Sequence, residues 1–158
     1  MAVEVGQAAP DFTLYDSDRQ QRSLGEFKGK NVVLAFFPGA FTGVCTTEMC
    51  ALRDSSEQFN NLNAQVLGIS VDLIFSLKVF SEQNNLNFPL LSDYSRQVVN
   101  QYDVAIVNFA GMEGYTAAKR AVFVLDKEGA VRYKWVGDTP GVEPEYDEIR
   151  QALDRLPK

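Results

Sequence analysis

The chain has 158 residues, a formal net charge of -6, two cysteines and no histidine. An acidic chain without a local cluster of lysine and arginine disfavours binding to nucleic acids and to anionic membrane surfaces. The lack of histidine excludes Ser/His and Cys/His catalytic pairs, and two cysteines alone cannot supply the four ligands of the usual zinc site. We therefore expect neither a metal nor another cofactor.

The composition is that of a soluble globular domain, with 46% hydrophobic and 23% charged residues. No apolar run approaches the roughly 20 residues that span a bilayer. The first residues, MAVEVGQAAPDF, lack the basic and apolar regions of a signal peptide. No repeat or linker divides the chain. The sequence therefore predicts one cytoplasmic domain over residues 1–158, without a membrane segment.

The predicted elements alternate between short apolar strands and amphipathic helices. The continuous apolar run NVVLAFF is typical of a central strand that is covered on both faces. We predict strands at 11–15, 31–37, 65–72 and 88–93, and a hairpin of two further strands at 121–126 and 130–137. Helices are predicted from about 43 to 60, at 73–84, at 145–156 and, as a short one, at 95–104. A turn is predicted at 24–30 and a loop at 108–118.

This order predicts an α/β fold. Strands that alternate with crossover helices form a parallel sheet with helices on both faces, and the late hairpin adds antiparallel strands to it. The pattern matches a thioredoxin-like topology. We expect a central mixed sheet flanked by helices, with an N-terminal β extension.

Both cysteines lie in FFPGAFTGVCTTEMC, residues 36–50, which begins at the end of the predicted central strand. Sites in open α/β sheets form at the carboxyl ends of strands. Cys45 follows in the first turn of a predicted helix, where unpaired N–H groups and the helix dipole favour an anion and hence a thiolate. The commoner fate of a free cysteine is burial as a small apolar residue. Thr42 can serve as a plain helix cap, or it can bind a sulfur and a ligand.

The segment from Pro38 through Thr42 to Cys45 fits the P-x-x-x-T-x-x-C signature of peroxiredoxins. The segments GQAAPDFTL, LGISVD, FPLLSD and KRAVFVLDKEG also resemble peroxiredoxin segments, in the same order. The sequence therefore resembles a peroxiredoxin over nearly its whole length. The nearest subgroups are the bacterioferritin-comigratory (peroxiredoxin Q) type and the one-cysteine alkyl hydroperoxide reductase E type. The resemblance implies a thiol peroxidase for hydrogen peroxide and organic hydroperoxides.

The resemblance also implies roles for individual residues. Cys45 corresponds to the peroxidatic cysteine, Thr42 to the residue that holds the peroxide and orients the sulfur, and Pro38 to the residue that shields the pocket from water. Arg120 corresponds to the arginine that completes the site. An arginine stays charged at any working pH, so it can stabilise a thiolate and a leaving oxygen. Strand alternation allows only one of Lys119 and Arg120 to face the site.

Glu48 lies three residues after Cys45, at a position that is often acidic in this family. The resemblance implies that Glu48 helps to hold the arginine. The alternative is a glutamate that simply favours the helix dipole.

The spacing of Cys45 and Cys50 resembles that of peroxiredoxin Q proteins in which the second cysteine is the resolving one. Five helical residues advance about 7.5 Å and turn the side chain about 140° past a full turn. A disulfide needs Cα atoms within about 7 Å. A Cys45–Cys50 disulfide therefore requires the first turns of the helix to unwind, and the residues around Cys45 have modest helix propensity. The alternative is a one-cysteine enzyme in which Cys50 is structural.

Two other classes remain as alternatives. A thioredoxin-like disulfide oxidoreductase needs C-x-x-C, which the chain lacks. A non-catalytic thioredoxin-fold binding module or chaperone would consume no peroxide, and it would behave the same after Cys45→Ser. By resemblance, the expected partners are a hydroperoxide and a thioredoxin-like dithiol reductant, and the expected assembly is a monomer or homodimer.

Overall fold

The fold is built on a sheet whose strands come from the whole length of the chain. The computed structural model describes residues 3–158, so Met1 and Ala2 of the predicted domain lie outside the described residues. Residues 3–158 form five α-helices: α1 Gly43–Asp54, α2 Ser56–Asn61, α3 Ile74–Gln83, α4 Gln97–Gln101 and α5 Tyr146–Asp154. The same residues form nine strands: β1 Thr13–Asp16, β2 Gln21–Ser23, β3 Asn31–Phe36, β4 Ala64–Ser70, β5 Leu90–Ser92, β6 Ala105–Ile106, β7 Ala117–Ala118, β8 Ala121–Leu125 and β9 Val131–Val136. None of these helices is long and apolar enough to cross a membrane.

Seven of the strands form a mixed sheet in the order β2-β1-β5-β4-β3-β8-β9. The strands β3, β4 and β5 are parallel, whereas β8 pairs antiparallel with both β3 and β9. The hairpin of β1 and β2 extends the sheet through an antiparallel pairing of β1 with β5. The predicted central mixed sheet with an N-terminal β extension is therefore confirmed.

The strand β3 is buried on both faces, as its apolar run predicts. Its side chains alternate between two core clusters, because successive residues of a strand point to opposite faces. Leu34 and Phe36 belong to one cluster, which includes residues of α4, and Val33 and Ala35 belong to the other. The second cluster contains side chains of α1, α3 and α5. Burial of each such side chain stabilises the fold by about 1.5–3 kcal/mol, so α1 is firmly packed on the sheet.

Two predicted boundaries are wrong in detail. The helix predicted from 43 to 60 is divided into α1 and α2, because Ser55 has a φ of -92° and a ψ of 6°, outside the helical region. The loop predicted at 108–118 contains β7, which pairs with β6 in a small second sheet. Strands of two or three residues, such as β7 and β2, are too short to show a periodicity in the sequence.

Candidate active site

The loop between β3 and α1 is held by the end of the neighbouring strand. Pro38 is buried at the start of this loop. The backbone N–H of Ala40 donates to Oδ2 of Asp72 at 2.8 Å, and the Ser70 hydroxyl donates to the same oxygen at 2.7 Å. Asp72 follows β4, which is parallel to β3, so both strands end at the same edge of the sheet. The loop is therefore fixed to the sheet by a carboxylate before the helix begins.

Cys45 lies in the first turn of α1, where the sequence predicts it. Its side chain is 0% exposed and packs in the core cluster that contains Phe37 and Met49. The helix begins at Gly43, with Thr42 in an extended conformation as the N-cap residue. The start of a helix presents unpaired N–H groups and the positive end of the dipole, which favour a negatively charged sulfur.

Thr42 does not cap α1 through its side chain. Its hydroxyl instead donates to the carbonyl oxygen of Gly39 at 2.8 Å, while the side chain remains exposed. Because this bond uses the only hydroxyl proton, the lone pairs of Oγ1 remain available to accept a hydrogen bond. The orientation of the hydroxyl is thus fixed at the end of the loop between β3 and α1, three residues before Cys45.

Arg120 lies immediately before β8 and is 2% exposed. Strand alternation places it on the same face as Val122 and Val124, which pack in one cluster with Cys45. Three hydrogen bonds fix its guanidinium. Nη1 donates to Oε1 of Glu48 at 2.8 Å, and Nε and Nη2 donate to the carbonyl oxygen of Pro140 at 3.2 Å and 2.7 Å. The cation is therefore held rigidly in the core.

The charges around Arg120 belong to the helix that carries Cys45. Burial by itself lowers the pKa of Arg120, but the negative charges of Cys45 and Glu48 outweigh the burial and leave this pKa raised. Cys45 is the larger of the two electrostatic contributions. The arrangement consequently places a permanent cation beside the helix that carries Cys45.

Glu48 is 0% exposed and is one turn of α1 beyond Cys45. Its Oε1 accepts from Arg120, whereas Oε2 is buried without a hydrogen-bond partner among residues 3–158. Burial raises the pKa of Glu48 to about 7, with a further contribution from Glu143, although the charge of Arg120 opposes the rise. The hydroxyl of Tyr146 donates to the same Glu143 at 2.7 Å. The structure thus brings Glu48 to Arg120, as the sequence predicts.

Cys50 lies on the same helix but in different surroundings. Its side chain is half-buried, and its Sγ donates to Oδ1 of Asn84 at 3.6 Å. Arg53, one turn further along α1, donates to the carbonyl oxygen of Asn84 at 2.5 Å. Both cysteines are free thiols. Since α1 is continuous from Gly43 to Asp54, this conformation keeps the two sulfurs too far apart for a disulfide.

Three contacts around the two cysteines are not predicted from the sequence. Asp72 anchors the loop, the carbonyl of Pro140 fixes Arg120, and Asn84 contacts Cys50. Asp72 carried a readable signal, because it is an acidic residue just after a buried parallel strand, at the edge where sites form. Pro140 and Asn84 show no such signal in the sequence, because Pro140 acts through its backbone carbonyl and Asn84 lies 34 residues from Cys50.

Known proteins resemble this chain over most of its length. The AhpC/TSA family matches residues 5–134. Peroxiredoxin Bcp of Bacillus subtilis is 37% identical over 135 residues, which cover 85% of this chain and 86% of the relative. The chloroplastic peroxiredoxin Q of Oryza sativa subsp. japonica is 43% identical over 131 residues, which cover 83% of this chain and 58% of the relative.

Among solved structures, peroxidoxin BcpB of Mycobacterium tuberculosis superimposes with a TM-score of 0.87 at 28% identity, over 99% of both chains. The likeness confirms the predicted thioredoxin-like fold. The relatives indicate thiol-dependent peroxidase activity. The chain therefore belongs to the AhpC/TSA family, as a homologue of the Bcp and peroxiredoxin Q proteins.

Proposed function

We propose that this chain reduces hydroperoxides through the thiolate of Cys45. One observation carries the proposal. A fully buried cysteine begins a helix beside an arginine that is itself 2% exposed and fixed by three hydrogen bonds. In a chain without histidine, this is an arrangement that can hold a thiolate without a general base. The family membership supports the same chemistry.

The reaction at Cys45 is a transfer of one oxygen atom. The thiolate attacks the distal oxygen of the hydroperoxide, so an S–O bond forms while the O–O bond breaks. The sulfur is oxidised to a sulfenic acid, and the leaving oxygen takes up a proton and departs as water or an alcohol. Arg120 supports this step because its fixed N–H donors stabilise the charge that develops on the oxygens.

Thr42 and Pro38 have supporting roles in this proposal. The Thr42 hydroxyl has its own proton engaged by Gly39, so its oxygen is free to accept the O–H of a bound hydroperoxide. The buried ring of Pro38 shields the sulfur from water, and so strengthens electrostatic interactions at the site. Glu48 acts indirectly, since its contact is with Arg120.

We further propose that Cys50 resolves the sulfenic acid. The Cys50 thiolate attacks the Cys45 sulfur, an S–S bond forms, and the hydroxyl leaves as water after it gains a proton. Because α1 is intact here, its first turns must open for this step. A thioredoxin-like dithiol protein would then reduce the disulfide. We place this cycle in the cytoplasm, with the chain as a monomer or homodimer.

The first experiment treats the reduced protein with one equivalent of hydrogen peroxide and follows both cysteines by mass spectrometry. We expect rapid loss of both thiols, a Cys45–Cys50 crosslink within one chain, and recovery of both after thioredoxin is added. Cys45→Ser should consume no peroxide, and an unchanged rate in that variant would overturn the peroxidase proposal. Cys50→Ser should stop at the sulfenic acid. Oxidation of Cys45 alone in the wild type would make this a one-cysteine enzyme.

A further inference from the structure

The end of α3 holds the thiol of Cys50. Asn84 is the residue that terminates α3, and its Nδ2 donates to the carbonyl of Phe80 at 2.9 Å. This bond orients the amide, so Oδ1 faces α1 and accepts the Cys50 thiol at 3.6 Å. Phe80 is fully buried in the core. The acceptor for Cys50 is therefore attached to a part of the protein that does not move easily.

The two halves of α1 are anchored differently. In the first half, the hydroxyls of Thr46 and Thr47 donate hydrogen bonds to backbone carbonyl oxygens of the preceding turn, at 2.8 Å and 3.1 Å. Such bonds slightly destabilise helices. In the second half, Leu52 is buried and Arg53 donates to the carbonyl of Asn84. The second half of α1, which carries Cys50, is therefore attached to α3 as well as to the core, whereas an opening near Cys45 must break the buried contact of Glu48 with Arg120.

We propose that Asn84 is a positioning residue for Cys50, which holds its thiol on α3 and so sets the rate at which the Cys45 sulfenic acid is resolved. The inference rests on the proposed resolving role of Cys50. For Cys50 to reach Cys45, the Sγ–Oδ1 contact must break and the thiol must lose its proton. Asn84 opposes the first of these events, because its oxygen holds the Cys50 thiol by a hydrogen bond.

The contact also controls the fate of the sulfenic acid. A sulfenic acid that waits for its partner meets a second hydroperoxide and becomes a sulfinic acid, which the dithiol reductant does not restore. A longer wait therefore gives more sulfinic acid at high peroxide. The side chain at position 84 thus determines which fraction of the Cys45 sulfenic acid becomes the reducible disulfide and which fraction becomes the inactive sulfinic acid.

Two substitutions at this position separate the inference from a purely structural role. Asn84→Ala removes the acceptor, and Asn84→Asp replaces it with a carboxylate that repels the Cys50 thiolate. Both lose the Nδ2 bond to Phe80, and both keep the backbone carbonyl that binds Arg53. A role in terminating α3 alone would therefore move the two variants in the same direction, whereas a role at the thiol moves them in opposite directions.

We expect disulfide formation after one equivalent of hydrogen peroxide to be about two- to fivefold faster in Asn84→Ala and slower by a similar factor in Asn84→Asp, as befits one hydrogen bond. The fraction of sulfinic acid at high peroxide should fall in Asn84→Ala and rise in Asn84→Asp. The rate at which Cys45 first reacts should stay unchanged in both. Changes of the same sign in the two variants, or no change in either, would overturn the inference.

A second measurement needs no peroxide. In a Cys45→Ser background, the alkylation of Cys50 by iodoacetamide at pH 7 should be faster with Asn84→Ala and slower with Asn84→Asp. If the wild type forms no Cys45–Cys50 disulfide, the resolving role of Cys50 is overturned, and the alkylation rates alone decide whether Asn84 holds the thiol. Equal alkylation rates in all three proteins would reject the contact itself.

Discussion

The two cysteines share one helix, yet the cations beside them are held in opposite ways. Arg120 is 2% exposed and its guanidinium makes three hydrogen bonds near Cys45. The side chain of Arg53, near Cys50, is 29% exposed and pairs with the exposed Asp54. A buried charge acts through a medium of low dielectric, whereas water and salt screen an exposed one. The peroxide step therefore depends on a buried and fixed charge, whereas the resolution step takes place beside a partly exposed and screened one.

The same substitution on each side of the helix tests this contrast. We expect Arg120→Gln to lower the second-order rate constant of Cys45 with hydrogen peroxide by about 10²–10³-fold, the usual cost of losing a fixed donor at a developing negative charge. The variant also leaves Glu48 buried without its cation, so the free energy of unfolding should fall by about 3–5 kcal/mol. Stopped-flow kinetics and urea unfolding measure the two effects.

Arg120→Lys is the matched control for this prediction. Lysine keeps the positive charge but lacks the planar guanidinium whose N–H groups bind both Glu48 and Pro140. Its rate constant should lie between those of the wild type and Arg120→Gln. A loss of less than tenfold in Arg120→Gln would contradict a central role for the buried cation.

Glu48 makes the Cys45 side sensitive to pH. Burial raises the pKa of Glu48 from 4.5 to about 7, against the opposing charge of Arg120. The folded protein therefore binds a proton that the unfolded chain has released, and the free energy of unfolding should fall as pH rises from about 4.5 to about 7. The loss amounts to about 3 kcal/mol, at 1.36 kcal/mol per pKa unit.

Urea unfolding of the wild type and of Glu48→Gln across this pH range measures that contribution. The glutamine keeps an oxygen for Arg120 but has no proton to release, so the difference between the two stability curves isolates Glu48. We expect the wild type to lose stability relative to the variant as pH rises. Parallel curves would show that the carboxylate does not titrate in this window.

The loop anchor should have a smaller effect. Asp72→Ala removes the acceptor of the Ala40 N–H, which leaves the loop that carries Thr42 less ordered. We expect a loss of about 1–3 kcal/mol of stability. The peroxide rate constant should fall about tenfold, because misplacing a positioning group slows a reaction that relies on orientation. Asp72→Asn retains an oxygen at this point and should keep most of the rate. Equal losses in both variants would assign the effect to charge instead.

Much of this molecule could be predicted from the sequence, for definite physical reasons. The apolar run of β3 requires cover on both faces, and a cysteine just after it must lie at a helix start on the sheet edge. Alternation allows only one of Lys119 and Arg120 to face Cys45, and the resemblance selects Arg120, which lies on the face of Val122 and Val124. The strands β6 and β7 are not predicted, because a strand of two residues is too short to show an alternation of apolar and polar side chains. The contacts of Pro140 and Asn84 were missed because they join residues that are distant in sequence.

The smallest expected effect lies on the Cys50 side. Arg53→Gln removes a cation that attracts the Cys50 thiolate and donates to the carbonyl of Asn84. Because Arg53 is at the surface, we expect disulfide formation to slow by less than about twofold at low salt. The difference should vanish at 1 M salt, where the screening length is about 3 Å. The peroxide rate constant should be unchanged. A loss comparable to that of Arg120→Gln would mean that Arg53 acts as a buried charge, and the contrast between the two cysteines would fail.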